Sequence, residues 1–148
     1  MNQIGEETDQ AILQLLRHIL RTSRITEAKL DSLLSEVDLS TTRLLTLRQL
    51  DTADEPLSLS QLAACQAFVK SNATQLIDRL EADELVRRIP APGDRRCTLL
   101  EVTDEGKERH EAALRAMQPL LAKLNQVYTP EQRVQLLALL QRLADALT

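Results

Sequence analysis

Apolar residues recur at helical spacing from Ile12 through Leu15/Leu16 to Ile19/Leu20. They recur again at Leu30, Leu33/Leu34 and Val37, beyond a more polar centre. No Gly or Pro interrupts residues 6–55, a scarcity of punctuators that marks helix-dominated chain. The pattern predicts one long helix over about 8–36, with a candidate bend near Thr22–Ile25. At about 1.5 Å per residue it reaches roughly 40 Å, too long for one subunit's core, so part of it is expected to pack on another chain. A second helix follows, with Ser40 as N-cap and Leu44, Leu45, Leu47 and Leu50 inside.

Pro56 closes that region. Ser58-Leu59-Ser60-Gln61 reads as a capping box, with hydroxyl and amide each satisfying a free backbone N–H. It predicts a short helix over about 59–66, a turn near Gln66–Phe68 and a further helix over about 70–83. In that helix Ala73, Leu76, Ile77 and Leu80 form an apolar stripe, and Lys70, Ser71, Asn72, Thr74, Gln75 and Asp78 lie mostly off it. Residues 85–89 and 98–102 are β-prone. Between them Pro90-Ala91-Pro92-Gly93-Asp94 predicts a loop tip, giving a hairpin with a long basic tip that carries Arg95 and Arg96. Thr103-Asp104-Glu105 opens another helix, which Pro119 is expected to bend. Thr129-Pro130-Glu131-Gln132 opens the last, running to about Ala146.

The fold class is mainly α with a small β-hairpin wing. A winged helix-turn-helix reading head occupies 40–103 of a single 148-residue chain, and helical dimerisation regions occupy 6–37 and 104–148. In this arrangement the second helix of the pair enters the major groove. Lys70, Ser71, Asn72, Thr74 and Gln75 suit that place: Asn and Gln pair bidentately with adenine, and Lys reaches guanine or phosphate. Arg95 and Arg96 on the hairpin would reach the minor groove, whose negative potential attracts Arg. The competing reading of 70–78 is an ordinary solvated helix face. Arg79, beside Asp78 and Glu81, is either a DNA contact or one arm of an ion pair, and Arg95 is either a contact or a solubilising charge.

Composition adds constraints. The core must be aliphatic, because Phe68 and Tyr128 are the only aromatic residues. Net charge is -4, so any DNA-facing surface must come from folding, not from bulk charge. The first ten residues have no signal-peptide character and no apolar run spans a bilayer. Cys65 and Cys97 form neither a disulfide framework nor a metal motif. A cytoplasmic protein without membrane contact is expected. No catalytic set, cofactor motif or metal-ligand cluster is visible, so no enzyme is expected.

The run from Lys70 to Arg88 resembles the recognition helix and first wing strand of the MarR family. Asp94-Arg95-Arg96, followed by Leu100-Glu101-Val102-Thr103-Asp104-Glu105-Gly106, is similar to that family's wing tip and return strand. The resemblance implies an obligate homodimer with intertwined N- and C-terminal helices and two reading heads. By matching position, it implies that Asp94 and Arg96 shape the wing and enter the minor groove. Two departures stand out. Glu84 occupies a place where the family usually has Gly, and a left-handed Glu there is strained by roughly 1 kcal/mol unless the turn changes. Val69 replaces the usual Ser/Thr N-cap, which allows the helix to begin at Ser71.

The expected function is a sequence-specific DNA-binding regulator, a repressor acting on double-stranded DNA with a pseudo-palindromic operator. His18, Arg21 and Arg24 are candidate ligands for a small anionic or aromatic effector, with surface or interface polar contacts as the competing reading; His110 is a further candidate for the effector pocket. The cysteines are read as buried or idle. The alternative function is a winged-helix protein-interaction module without DNA binding.

Overall fold

The computed structural model describes residues 3–65 and 70–147, and their side chains except at 3–8, 70–71 and 94–96. The expected turn near Gln66–Phe68 and the place of Val69 therefore lie outside the described residues. Two compact units divide between Ala116 and Met117.

The first unit opens with α1 (Gln3–Leu34), whose assignment continues through Thr22–Ile25 without a break. A 3-10 turn, Ser35–Val37, closes it, and Asp38 takes a left-handed conformation at φ 54°. Helix α2 (Thr41–Asp51) starts where expected, with the Ser40 hydroxyl accepting from the Arg43 N–H. Strand β1 is Leu57–Ser58 and α3 is Leu59–Cys65. The capping box is present. The Ser58 N–H and hydroxyl both donate to Gln61 Oε1 at 2.8 Å, and the Gln61 N–H donates to Ser58 Oγ at 3.3 Å. Helix α4 is Lys70–Ala82, β2 Val86–Ala91 and β3 Asp94–Val102.

The sheet departs from the expected two-stranded hairpin. Its order is β1-β3-β2, all antiparallel, with Leu57↔Leu100 and Ser58↔Leu99 joining the short first strand to the wing. A two-residue strand has no periodicity to read. The expected long loop tip is also shorter. Strand β2 continues through Pro90 to Ala91, and the turn is Pro92–Gly93 with Gly93 at φ 83°. Because β2 is an edge strand, Pro90 costs no ladder bond on its open side. The register jumps from Pro90↔Thr98 to Ala91↔Asp94, so Arg95, Arg96 and Cys97 fall in a bulge of β3. Bulges of this kind re-aim side chains at the rim of a sheet.

The core of this unit is aliphatic. Leu34, Leu47, Leu62, Ile77, Leu80, Leu85 and Leu100 are almost completely buried, each worth about 1.5–3 kcal/mol against exposure. Between α4 and β2, the Leu85 N–H donates to the Leu80 carbonyl and the Glu84 N–H to the Glu81 carbonyl. This double bond pattern is a Schellman cap. Glu84 supplies its left-handed residue at φ 60°, as the departure from Gly anticipates.

Helix α5 (Asp104–Val127) begins on this cap. The Thr103 hydroxyl donates to the Glu84 carbonyl at 2.6 Å and accepts from the Gly106 N–H at 3.0 Å. The assignment of α5 runs through Pro119 to Val127. In the second unit, α6 (Pro130–Leu147) has a second capping box: the Thr129 N–H donates to Gln132 Oε1 at 3.0 Å and the Gln132 N–H to Thr129 Oγ1 at 3.3 Å. No residue of α6 is buried. Leu121, Leu124, Tyr128, Leu136, Leu137 and Leu140 line an open groove of about 540 Å³ within this unit.

Candidate nucleic-acid interface

Helix α4 is oriented by what it buries. Ala73, Ile77 and Leu80 have no solvent exposure, and Leu76 is half-buried. The opposite side must then face water, and Asn72, Thr74, Gln75, Asp78 and Arg79 are all exposed. Asn72, Gln75 and Arg79 stand at i, i+3 and i+7 and so share one ridge. At about 1.5 Å per residue the ridge spans roughly 10 Å, the length of three stacked base pairs. The backbone of Lys70 and Ser71 is the first turn of α4; their side chains lie outside those described.

The neighbouring strand decides the charge on this ridge. Arg88 on β2 donates to Asp78 at 2.6 Å with one Nη and to Glu81 with the other. Its bond to the Asp78 carboxylate is the largest influence raising the Arg88 pKa above its usual value. Desolvation opposes it, and the nearby charges of Glu81 and Asp78 add to it. Both acids that flank Arg79 are therefore occupied. Arg79 is exposed and, among the described residues, forms no ion pair. Sequence spacing did not resolve this point, because the competitor for Asp78 and Glu81 lies on a different element. Arg87, a second cation on the same strand, pairs with Glu101 across the sheet, its Nε donating at 2.6 Å.

Asp94, Arg95 and Arg96 belong to β3 by backbone, and their side chains lie outside those described. The turn they flank is bulged, not a long open loop. Cys65 is exposed and Cys97 half-buried, and both are free thiols.

The three effector candidates all lie on α1. Arg21 and Arg24 join Arg17, Leu13, Leu16, Leu20 and Ile25 around an open concavity of about 730 Å³. His18 does not line it; Nδ1 of its ring lies 2.8 Å from the Gln14 carbonyl one turn back. His110 is buried with Nδ1 3.5 Å from Asp51 Oδ2. Among the described residues there is no cluster of three or more His, Cys, Asp or Glu able to hold a metal, and no helix is long and apolar enough to cross a membrane.

The model of the MarR family matches residues 37–96. The transcriptional repressor NicR of Pseudomonas putida is 32% identical over 95 residues, 62% of this chain and 58% of that protein. The transcriptional repressor MdtR of Bacillus subtilis is 31% identical over 90 residues, 61% and 58% of the two chains. The chain thus spans under two thirds of the curated relatives it matches. A MarR family transcriptional regulator from Streptomyces coelicolor shares the fold with a TM-score of 0.78 at 26% identity, over 92% of this chain and 94% of that one. A mutant MarR from E. coli, solved with operator DNA, aligns with a TM-score of 0.80 at 24% identity, over 90% and 95%. The family match over residues 37–96, the relatives that align with this chain and the fold shared with solved structures over nearly its full length agree: residues 37–96 are similar to the MarR family, and the chain has the fold of a MarR family regulator.

Proposed function

We propose that this protein is a homodimeric, sequence-specific DNA-binding transcription regulator, acting as a repressor in the cytoplasm. The observation that carries the reading is α4. Its buried stripe leaves Asn72, Gln75 and Arg79 on one exposed ridge, beside a wing strand that neutralises the acids around Arg79. Residues 40–103 form the reading head, and 6–37 and 104–148 supply dimer contacts. Lys70, Ser71, Thr74 and the wing residues Asp94, Arg95 and Arg96 complete the DNA surface. Solved relatives bound to DNA, E. coli MarR and S. aureus MepR, and repressor relatives support this reading. Arg21 and Arg24, with Arg17, offer cations beside apolar side chains to a small anionic or aromatic effector, whose binding would release the DNA. No enzymatic role is assigned.

Fluorescence anisotropy with the chain's own upstream DNA and a scrambled duplex, in rising salt, tests the function. The reading predicts tighter binding to the upstream DNA by about 10³-fold or more, with log K falling linearly in log salt. Equal, weak binding to both duplexes would leave the protein-interaction module as the better reading.

A further inference from the structure

Asp83 follows the last residue of α4, Ala82, and precedes the left-handed Glu84. Its carboxylate stands at the negative end of the helix dipole, where an anion is disfavoured. Arg43 of α2 offsets it. One Nη of that guanidinium pairs with the Asp83 carboxylate, and the other donates to the Asp38 carbonyl at 3.1 Å. Asp38 is the left-handed cap that closes α1 and its 3-10 turn. One cation therefore joins the C-terminal ends of two helices, the negative ends of both dipoles. The Arg43 side chain is 20% exposed and that of Asp83 54%, so the guanidinium is held by packing while the carboxylate sits on the rim.

The same end of α1 is tied down twice more. The Thr41 N–H and hydroxyl donate to Asp31 Oδ1 at 2.7 and 2.8 Å. Arg109 of α5 donates to the Val37 carbonyl at 3.3 Å. These two ties fix α1 to its neighbours in the first unit. Among the described polar contacts, only Arg43 continues from the end of α1 to α4.

We propose that Arg43 is a positioning residue that sets the direction of α4 against α1 and so fixes the spacing between the two half-sites the dimer reads. The inference rests on the proposed function, with α1 carrying dimer contacts and α4 reading DNA. One base pair advances the duplex by about 3.4 Å. A joint held to hydrogen-bond length therefore selects spacing to a single base pair.

The test uses the full-length protein and the half-site that wild type selects from random DNA. Two copies are placed at every spacer within three base pairs of the selected one. Wild type is expected to favour one spacer by about ten-fold over its neighbours, and Asp83→Asn to favour it by less than about three-fold. Half-site sequence preference stays the same. Arg43→Lys, which serves only one of the two partners, behaves like Asp83→Asn, and Asp83→Glu restores most of the selectivity. Arg43→Lys carries the test should Asp83→Asn not fold. A wild-type spacer profile in the folded variants, whatever their melting temperature, overturns the positioning role. A wild-type protein that selects no half-site sinks the proposed function itself.

Discussion

Glu84 carries a side chain at φ 60°, where the chain must turn left-handed to leave α4 and enter β2. For an L-residue that conformation costs about 1–2 kcal/mol, and Gly adopts it freely at some cost in unfolded-state entropy. Glu84→Gly is therefore expected to stabilise the protein by up to about 1 kcal/mol, raising the melting temperature by about 2–4 °C. A fall in calorimetry would mean that the Glu84 side chain contributes something its backbone does not reveal. Gly106 makes the opposite case. A Cβ there would lie 2.1 Å from the Leu85 carbonyl oxygen and 2.7 Å from Val102 Cγ1. Helix propensity alone predicts that Gly106→Ala stabilises by about 1 kcal/mol. The close approach of α5 to the Schellman cap predicts instead a loss of about 1–3 kcal/mol, and the sign of the measured change decides between them. The strain at Glu84 was legible in the sequence, because a family pattern marked the position. The reason for Gly106 was not, since it depends on a carbonyl 21 residues earlier in the chain.

At the scale of elements, local chemistry read well where it was self-contained. Both capping boxes, at Ser58–Gln61 and Thr129–Gln132, are closed by the residues that signalled them. The wing read less well, because β1 exists only through its pairing with Leu99 and Leu100, and because edge position lets Pro90 remain in a strand. Helix α4, the proposed reading helix, is expected to make two kinds of contact. Asn72→Ala and Gln75→Ala should each reduce discrimination between operator and mismatched DNA by about 1–3 kcal/mol, with little change in the salt slope. Arg79→Ala should lower the slope of log K against log salt by about 0.9, the signature of one lost phosphate contact. Unchanged discrimination in the first two variants, or an unchanged slope and affinity in the third, would remove those residues from the interface.

Across the whole molecule, the isolated chain leaves too much apolar surface in water. On α1, Leu13, Leu15, Leu20 and Ile25 are each more than half exposed. In the second unit, Val134 and Leu137 are 68% exposed and Leu147 76%. Contiguous apolar patches beyond a few hundred Å² mark interaction sites, and a second copy is the expected cover for both faces. Sedimentation at low micromolar concentration should give about twice the chain mass of 16.6 kDa; a persistent folded monomer would contradict the architecture. The excess length of α1 made this legible in the sequence. Which residues tie α1 to α2 and α5 was not, because Asp31, Arg43 and Arg109 find their partners only in the folded chain.

The central claim is that two copies of α4 read one duplex. A hydroxyl-radical footprint of the purified protein on the DNA it selects tests this most directly. The account predicts two protected half-sites, about one helical turn or roughly 10 base pairs apart centre to centre, with minor-groove protection beside them where the wings reach. A single protected patch, or protection that does not depend on sequence, would contradict it.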